Sequence, residues 1–174
     1  MKIVVFSDIH GSKSGADKIS SVVSQEKPNK VVVCGDYFGG WSDSRECVYR
    51  ALSNLDCVLY LVKGNNDYPS DKYYLPCEME DYAVMHHFGR VLFFTHGDCY
   101  NKWSIPPVLR ENDAIVYGHT HCASVTKHKG LFCINVGSIG LPRDGCPSYV
   151  VLDEQGIWQK SADGKLMYHL PWQE

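Results

Sequence analysis

The chain has 174 residues and a net charge of −3, and its length fits one domain spanning 1–174, large enough to bury roughly 70% of the surface its unfolded chain exposes. No block of Lys or Arg marks a surface driven by counterion release and no stretch reaches membrane-spanning length, so neither a stable nucleic-acid complex nor a membrane partner is expected. The eight cysteines contain no C-x-x-C pair, and the apolar run at the N-terminus is too short for a signal peptide, which predicts reduced thiols in a cytoplasmic protein.

In chain order, "KIVVF" has the pattern of a short buried strand, and "ADKISSVVSQE" carries Ile19, Val22 and Val23 at helical spacing. "NKVVVCGD" predicts a second strand, "SRECVYRALSNL" a second amphipathic helix, and "CVLYLVKGNND" a third strand with a polar end. Crossovers of this β-α-β-α-β kind normally give neighbouring parallel strands. From "DYAVMHHF" onward the runs shorten: "RVLFFTHGD", "AIVYGHTH", "SVTKH", "LFCINVGS", "SYVVLD", "GIWQKS" and "KLMYHL". Turn residues separate them, predicting hairpins and meanders that are mostly antiparallel.

The strand ends share a pattern. "FSDIHG", "VCGDYF", "KGNND", "FTHGD" and "YGHTH" each set a Gly beside Asp, Asn or His after an apolar strand. In an open α/β sheet ligands bind outside the carboxyl ends of the strands, so these segments should converge on one crevice. In an extended chain residues i and i+2 share a face. Asp8 and His10, and likewise His119 and His121, are therefore expected to leave their strands side by side, with Gly118 clearing space beneath the second pair. Two imidazoles alone are an incomplete ligand set. Asp8, His10, Asp36, Asn65, His96, His119 and His121 together supply three oxygen and four nitrogen donors, too many for one tetrahedral ion and suited to two ions sharing a ligand.

The ordered set D-x-H, G-D, G-N-x-D, H-G and G-H-x-H, running from Asp8 to Arg143, resembles the calcineurin-like metallophosphoesterases, in particular their compact phosphodiesterase branch. That resemblance implies a four-layer α/β/β/α sandwich, two mixed β-sheets face to face with helices outside. It also implies one ion held by Asp8, His10, Asp36 and His121, and a second held by Asp36, Asn65, His96 and His119, with Asp36 bridging. The expected activity is that of a phosphodiesterase attacking in line with a metal-bridging hydroxide, with Asp36, Asn65, His119 and Arg143 serving the chemistry. The cofactors expected are two divalent metal ions, manganese foremost, with iron, zinc, nickel and cobalt also suited to imidazole and carboxylate ligands. A small phosphodiester is the expected substrate, with a nucleotide-like one among the candidates.

Arg143 in "NVGSIGLPRDG" is suited to bidentate contact with a phosphate, or is simply an exposed loop arginine. Asp67 either orients the Asn65 loop or forms its turn. Members with phosphomonoesterase activity often carry G-N-H-D, whose histidine resembles a general acid; here the position is Asn66, whose amide delivers no proton at neutral pH. That departure argues against a phosphomonoesterase or nucleotide phosphatase. Asp98 stands where close relatives often have the second histidine of H-G-H. A non-catalytic interaction module on the same scaffold is the alternative from another class, and the complete donor set argues for the enzyme. His86, His87, His128 and His169 are assigned to edge strands or the surface. Tyr37, Phe38, Trp41, Tyr68, Tyr73, Tyr74, Tyr100 and Trp103 crowd the loops beside the motifs. They fit either loop packing or the contact of a homo-oligomer, or else a rim that stacks a nucleobase.

Overall fold

The computed structural model describes residues 1–39 and 44–173. Strand β1 (Ile3–Phe6) is buried on both faces, as a run of four apolar residues without polar alternation requires. Helix α1 (Lys13–Glu26) starts ahead of its periodic apolar residues because the Ser12 hydroxyl caps it, accepting the Gly15 N–H at 3.1 Å. Strand β2 (Lys30–Cys34), helix α2 (Arg45–Ser53) and strand β3 (Val58–Val62) follow. β1 pairs with β2, and β2 with β3, in parallel, as the crossover pattern predicts.

A 3-10 helix over Pro69–Tyr74 leads to the short strand β4 (Met79–Glu80), which joins β3 at the sheet edge. Strands β5 (Ala83–His87), β6 (Arg90–Phe94), β7 (Ala114–Tyr117), β8 (Ser124–His128) and β9 (Leu131–Asn135) then build a second sheet in the order β5-β6-β7-β9-β8. Strands β10 (Ser148–Leu152), β11 (Gly156–Ser161) and β12 (Leu166–Pro171) return to the first, which runs β12-β11-β10-β1-β2-β3-β4.

The hairpins expected in the second half are present at β5–β6, β8–β9 and β10–β11–β12. The centre of the second sheet departs from that expectation, for β6, β7 and β9 run parallel. Their crossovers contain too few periodic apolar residues for a helix, so turn chemistry could not reveal the direction of return. The consequence is functional: parallel neighbours end at the same edge, which sets the residues after β6 and β7 side by side.

Period-two alternation distributes the core. Ile3, Val5, Val32 and Cys34 face Leu92, Phe94, Val116, Phe132 and Ile134 between the sheets. Val4, Phe6, Val31 and Val33 face outward onto Ile19 and Val22 of α1 and Val48 and Leu52 of α2. On the far side Phe93, Ile115 and Leu131 lie beneath Tyr100, Ile105 and Leu109 from the turns between β6 and β7. Two mixed sheets thus stack face to face, with helices outside the first and a thin irregular layer outside the second. All eight thiols are free. No helix among the described residues is long and apolar enough to cross a membrane.

Candidate metal centre

The segments after β1, β2, β3, β6 and β7 meet at one edge of the stacked sheets, around a cavity of about 370 Å³ lined by His10, Asp36, Asn65, Asn66, His119 and His121, with Leu141 and Arg143 also on its wall. The paired residues reach it by a different route from the one periodicity predicts. Asp8 (φ 56°), His10 (φ 51°), Asp36 (φ 57°), His119 (φ 66°) and His121 (φ 62°) all adopt left-handed backbone, so none is extended. Left-handed non-glycine residues cost about 1–3 kcal/mol each and persist where the surroundings over-determine them. Here the determinants are hydrogen bonds across the chain: the Asp8 N–H donates to Gly35, the His10 N–H to Asp36, and the His119 N–H to Asp8 Oδ2 at 3.0 Å. Glycine supplies the clearance. A Cβ at Gly118 would collide with the Ser7 hydroxyl and the Asp8 carboxylate, and one at Gly64 with Asp36.

Asp8, His10, Asp36 and His121 offer ligand atoms that all lie within 4.8 Å of one another, and all four are buried. His10 Nε2 is 3.1 Å from His121 Nε2 and 3.5 Å from Asp36 Oδ2, and His121 Nε2 is 3.2 Å from Asp8 Oδ1. The His121 Nδ1–H donates to the Leu141 carbonyl at 2.7 Å, and because a carbonyl only accepts, the neutral ring turns its Nε2 lone pair to the cluster. Burial alone would raise the Asp8 carboxyl, but the imidazoles of His10 and His121 beside it, with His96 nearby, outweigh it and hold Asp8 well below the usual carboxylate range. The Asp8 carboxylate facing its Nε2 raises His121 in turn.

The remaining donors form an adjoining set. His96 donates from Nδ1 to the Cys34 carbonyl at 2.7 Å and turns Nε2 toward Asn65 Oδ1 (2.9 Å), His119 Nδ1 (3.2 Å) and Asp36 Oδ1 (3.5 Å). Asp36 therefore faces both sets, one oxygen to each. Asp8 Oδ1 and His10 Nδ1 are buried and have no hydrogen-bond partner. A buried carboxylate oxygen without a donor, surrounded by imidazole nitrogens that cannot all carry protons, fits a cation.

Asp67 acts on the backbone beneath this site. Its Oδ2 accepts the N–H groups of Asp36 (2.8 Å) and Gly64 (2.7 Å), and its Oδ1 that of Tyr37 (2.8 Å), which ties the β2 and β3 ends together. Burial raises its carboxyl. Asn66 contacts Asp36 twice, with its N–H on Oδ1 (2.9 Å) and its side-chain Nδ2 on Oδ2 (2.7 Å). Arg143 is exposed on the loop beside His121, whose carbonyl accepts its N–H at 3.0 Å. Asp98 lies outside the main cavity, in a neighbouring one shared with Asp81, Tyr82 and Tyr100 on the other side of Asn65.

Among the described residues, no Tyr, Phe or Trp side chain lines the main cavity. Tyr37 and Phe38 are core residues, and the Tyr37 hydroxyl donates within the fold to Val33 or Val62. Trp103 packs edge-on against His128, and Tyr73 is 77% exposed away from the lining. Trp41 lies outside the described residues. His86 and His87, His128 and His169 sit on β5, β8 and β12, each an edge strand, as expected of histidines without ligand partners. Reading the sequence missed Ser138 and the bonds of Asn66. "NVGS" after β9 repeats the apolar-strand, Gly-plus-polar ending seen five times elsewhere, which was the available signal.

Residues 1–156 match the calcineurin-like phosphoesterase superfamily domain, and the chain belongs to that superfamily. The phosphodiesterase YfcE of Escherichia coli (strain K12) is 30% identical over 165 residues, 88% of each chain. The solved structure of E. coli YfcE, a phosphoesterase, superposes with a TM-score of 0.89 at 25% identity, covering 98% of this chain and 99% of that one. Wild-type Vps29 from Entamoeba histolytica, solved in complex with zinc, shares the fold at a TM-score of 0.65 and 17% identity, covering 99% of both chains.

Proposed function

We propose that this chain, acting as one domain over 1–174, is a binuclear metal-dependent phosphodiesterase. The observation that supports the proposal is the position of Asp36, with Oδ2 3.5 Å from His10 Nε2 and Oδ1 3.5 Å from His96 Nε2, between the two groups of candidate donors. Asp8, His10, Asp36 and His121 would hold one divalent ion, and Asp36, Asn65, His96 and His119 the other, with manganese the first candidate. When bound, such a pair supplies an activated water for in-line attack at phosphorus and neutralises charge on the non-bridging oxygens. The chain's own residues do the positioning. Leu141 and Cys34 carbonyls hold His121 and His96 with Nε2 inward, Asn66 and Asp67 immobilise Asp36, and Arg143 at the cavity wall is placed to pair with a phosphate oxygen. A small phosphodiester suits a cavity of about 370 Å³.

The relative YfcE, named as a phosphodiesterase, supports diesters over monoesters, and so does the amide at Asn66. The test is a screen of mono- and diesters after metal reconstitution, paired with metal analysis of Asp36→Asn and Asn65→Ala. Asp36→Asn is expected to weaken both ions and Asn65→Ala chiefly one. An Asp36→Asn protein that kept two tightly bound ions and most of its activity would show that the two sets do not share this carboxylate.

A further inference from the structure

Ser138 is fully buried and touches neither the cavity nor a metal-facing atom, yet its hydroxyl joins the two sides of the first donor set. The Oγ–H donates to the Asp8 carbonyl at 2.7 Å, and the same oxygen accepts the Leu141 N–H at 2.7 Å. Leu141 then presents its carbonyl to His121 Nδ1–H, again at 2.7 Å. Neighbouring backbone reinforces the brace: the Gly140 N–H reaches the Asp8 carbonyl at 3.2 Å and the Arg143 N–H the His121 carbonyl at 3.0 Å. Asp8 and His121, both left-handed, are thereby held from one short loop after β9, and their facing atoms lie 3.2 Å apart.

We propose that Ser138 is a positioning residue that fixes the ring tautomer of His121. By seating the Leu141 carbonyl, its hydroxyl keeps the His121 proton on Nδ1 and the Nε2 lone pair directed at Asp8, His10 and Asp36. A neutral imidazole has two tautomers, and which one it adopts follows from the hydrogen bond its other nitrogen makes. Without the hydroxyl the Leu141 N–H loses its acceptor, the carbonyl is free to turn, and the proton can move to Nε2, where it blocks ligation. In the adjoining set His96 takes its orientation from the Cys34 carbonyl, outside this loop, and His119 touches the braced segment only through its backbone N–H on Asp8 Oδ2.

The inference rests on the metal-centre assignment above, and its test separates the two. Ring nitrogen NMR on the metal-free protein reads the tautomer directly, and a zinc titration followed at His121 and His119 reads the two donor sets. Ser138→Ala is expected to shift His121 from Nδ1–H toward Nε2–H and to weaken zinc at His121 by about 10–100-fold, the usual range for losing a ligand's outer partner, while His119 responds as in wild type. Ser148→Ala is the control for merely losing a buried serine. Its hydroxyl is equally buried and bonds the Val136 carbonyl, so it should change neither reading. Ser138→Cys serves if the alanine variant does not fold; a thiol is a weak partner, and a partial shift is expected. Wild-type tautomer and wild-type zinc response at His121 in either Ser138 variant would overturn the proposal. So would a tautomer change in Ser148→Ala as large as in Ser138→Ala. Failure of zinc to perturb His121 in the wild-type protein would instead sink the metal-centre assignment, and the metal-free comparison would still decide the tautomer.

Discussion

At the scale of single residues, Asn66 bears directly on the chemistry of the proposed function. Its side-chain amide donates to Asp36 Oδ2 at 2.7 Å, so it holds that carboxylate, and an amide delivers no proton at neutral pH. On the proposed function, leaving groups would depart largely as anions, and rates are expected to fall steeply as leaving-group pKa rises. A positioned general acid is worth about 10²–10⁴-fold, so Asn66→His should recover part of that for basic leaving groups and little for activated aryl esters. The gain should stay below the full range because the exchange also removes a bond to Asp36. A series of esters graded by leaving-group pKa, run on both proteins at saturating metal, measures it. A wild-type rate indifferent to leaving-group pKa, with chemistry shown to be rate-limiting, would mean that another group already donates the proton.

At the scale of elements, helix α1 is fastened to its sheet at the end farthest from its serine cap. Glu26 accepts from Lys160 Nζ (2.6 Å), Lys2 Nζ (3.1 Å) and the Tyr149 hydroxyl (3.0 Å), joining the helix to β11, the approach to β1, and β10. Burial would raise this carboxyl, but the three hydrogen bonds together outweigh it and leave the pKa lowered. A lowered carboxyl stabilises the fold at pH values above its unfolded pKa, about 4.3, and loses that contribution as pH falls through the folded value. Glu26→Gln should therefore cost about 1.5–3 kcal/mol at pH 7, in the range of hydrogen bonds to charged groups. The gap from wild type should narrow as the pH is taken below about 4.3. Urea unfolding midpoints across that range test it, and a gap constant with pH would assign the loss to packing.

At the scale of the whole molecule, the donor sets span both sheets. Asp8, Asp36 and Asn65 follow strands β1, β2 and β3 of the first, and His96 and His119 follow β6 and β7 of the second. Ions held there would cross-link the open edge of the sandwich. A ligand at 100 times its Kd stabilises the native state by about 2.7 kcal/mol, and for a chain of this size each kcal/mol moves Tm by about 2–4 °C. Chelation should thus lower Tm by roughly 5–10 °C for each site emptied, with recovery on adding manganese. Asp36→Asn should respond much less. An unchanged melting curve after chelation of protein shown by elemental analysis to be loaded would contradict a cross-link.

How far the sequence reaches depends on how local each cause is. The β-α-β-α-β start follows from apolar runs and helical spacing within a dozen residues, and the donor list from polar residues that punctuate strand ends, where unpaired backbone and glycine already sit close in sequence. Their backbone did not follow. Asp8, His10, His119 and His121 take left-handed turns in place of the extended path, because the bonds that stabilise those turns come from Gly35, Asp36 and the Ser138 loop, remote in the chain. The parallel pairing of β6, β7 and β9 was hidden for a related reason: the returning segments carry no helix, so direction is decided by which faces bury against Ile3, Val5 and their neighbours. Residue chemistry alone therefore determined which atoms this protein can offer a cation. Only the tertiary structure decided that Asp36 stands between the two sets, that Asn66 and Asp67 hold it there, and that a serine 130 residues from Asp8 meets its carbonyl, since hydrogen bonds between distant segments exist only once the two sheets have closed.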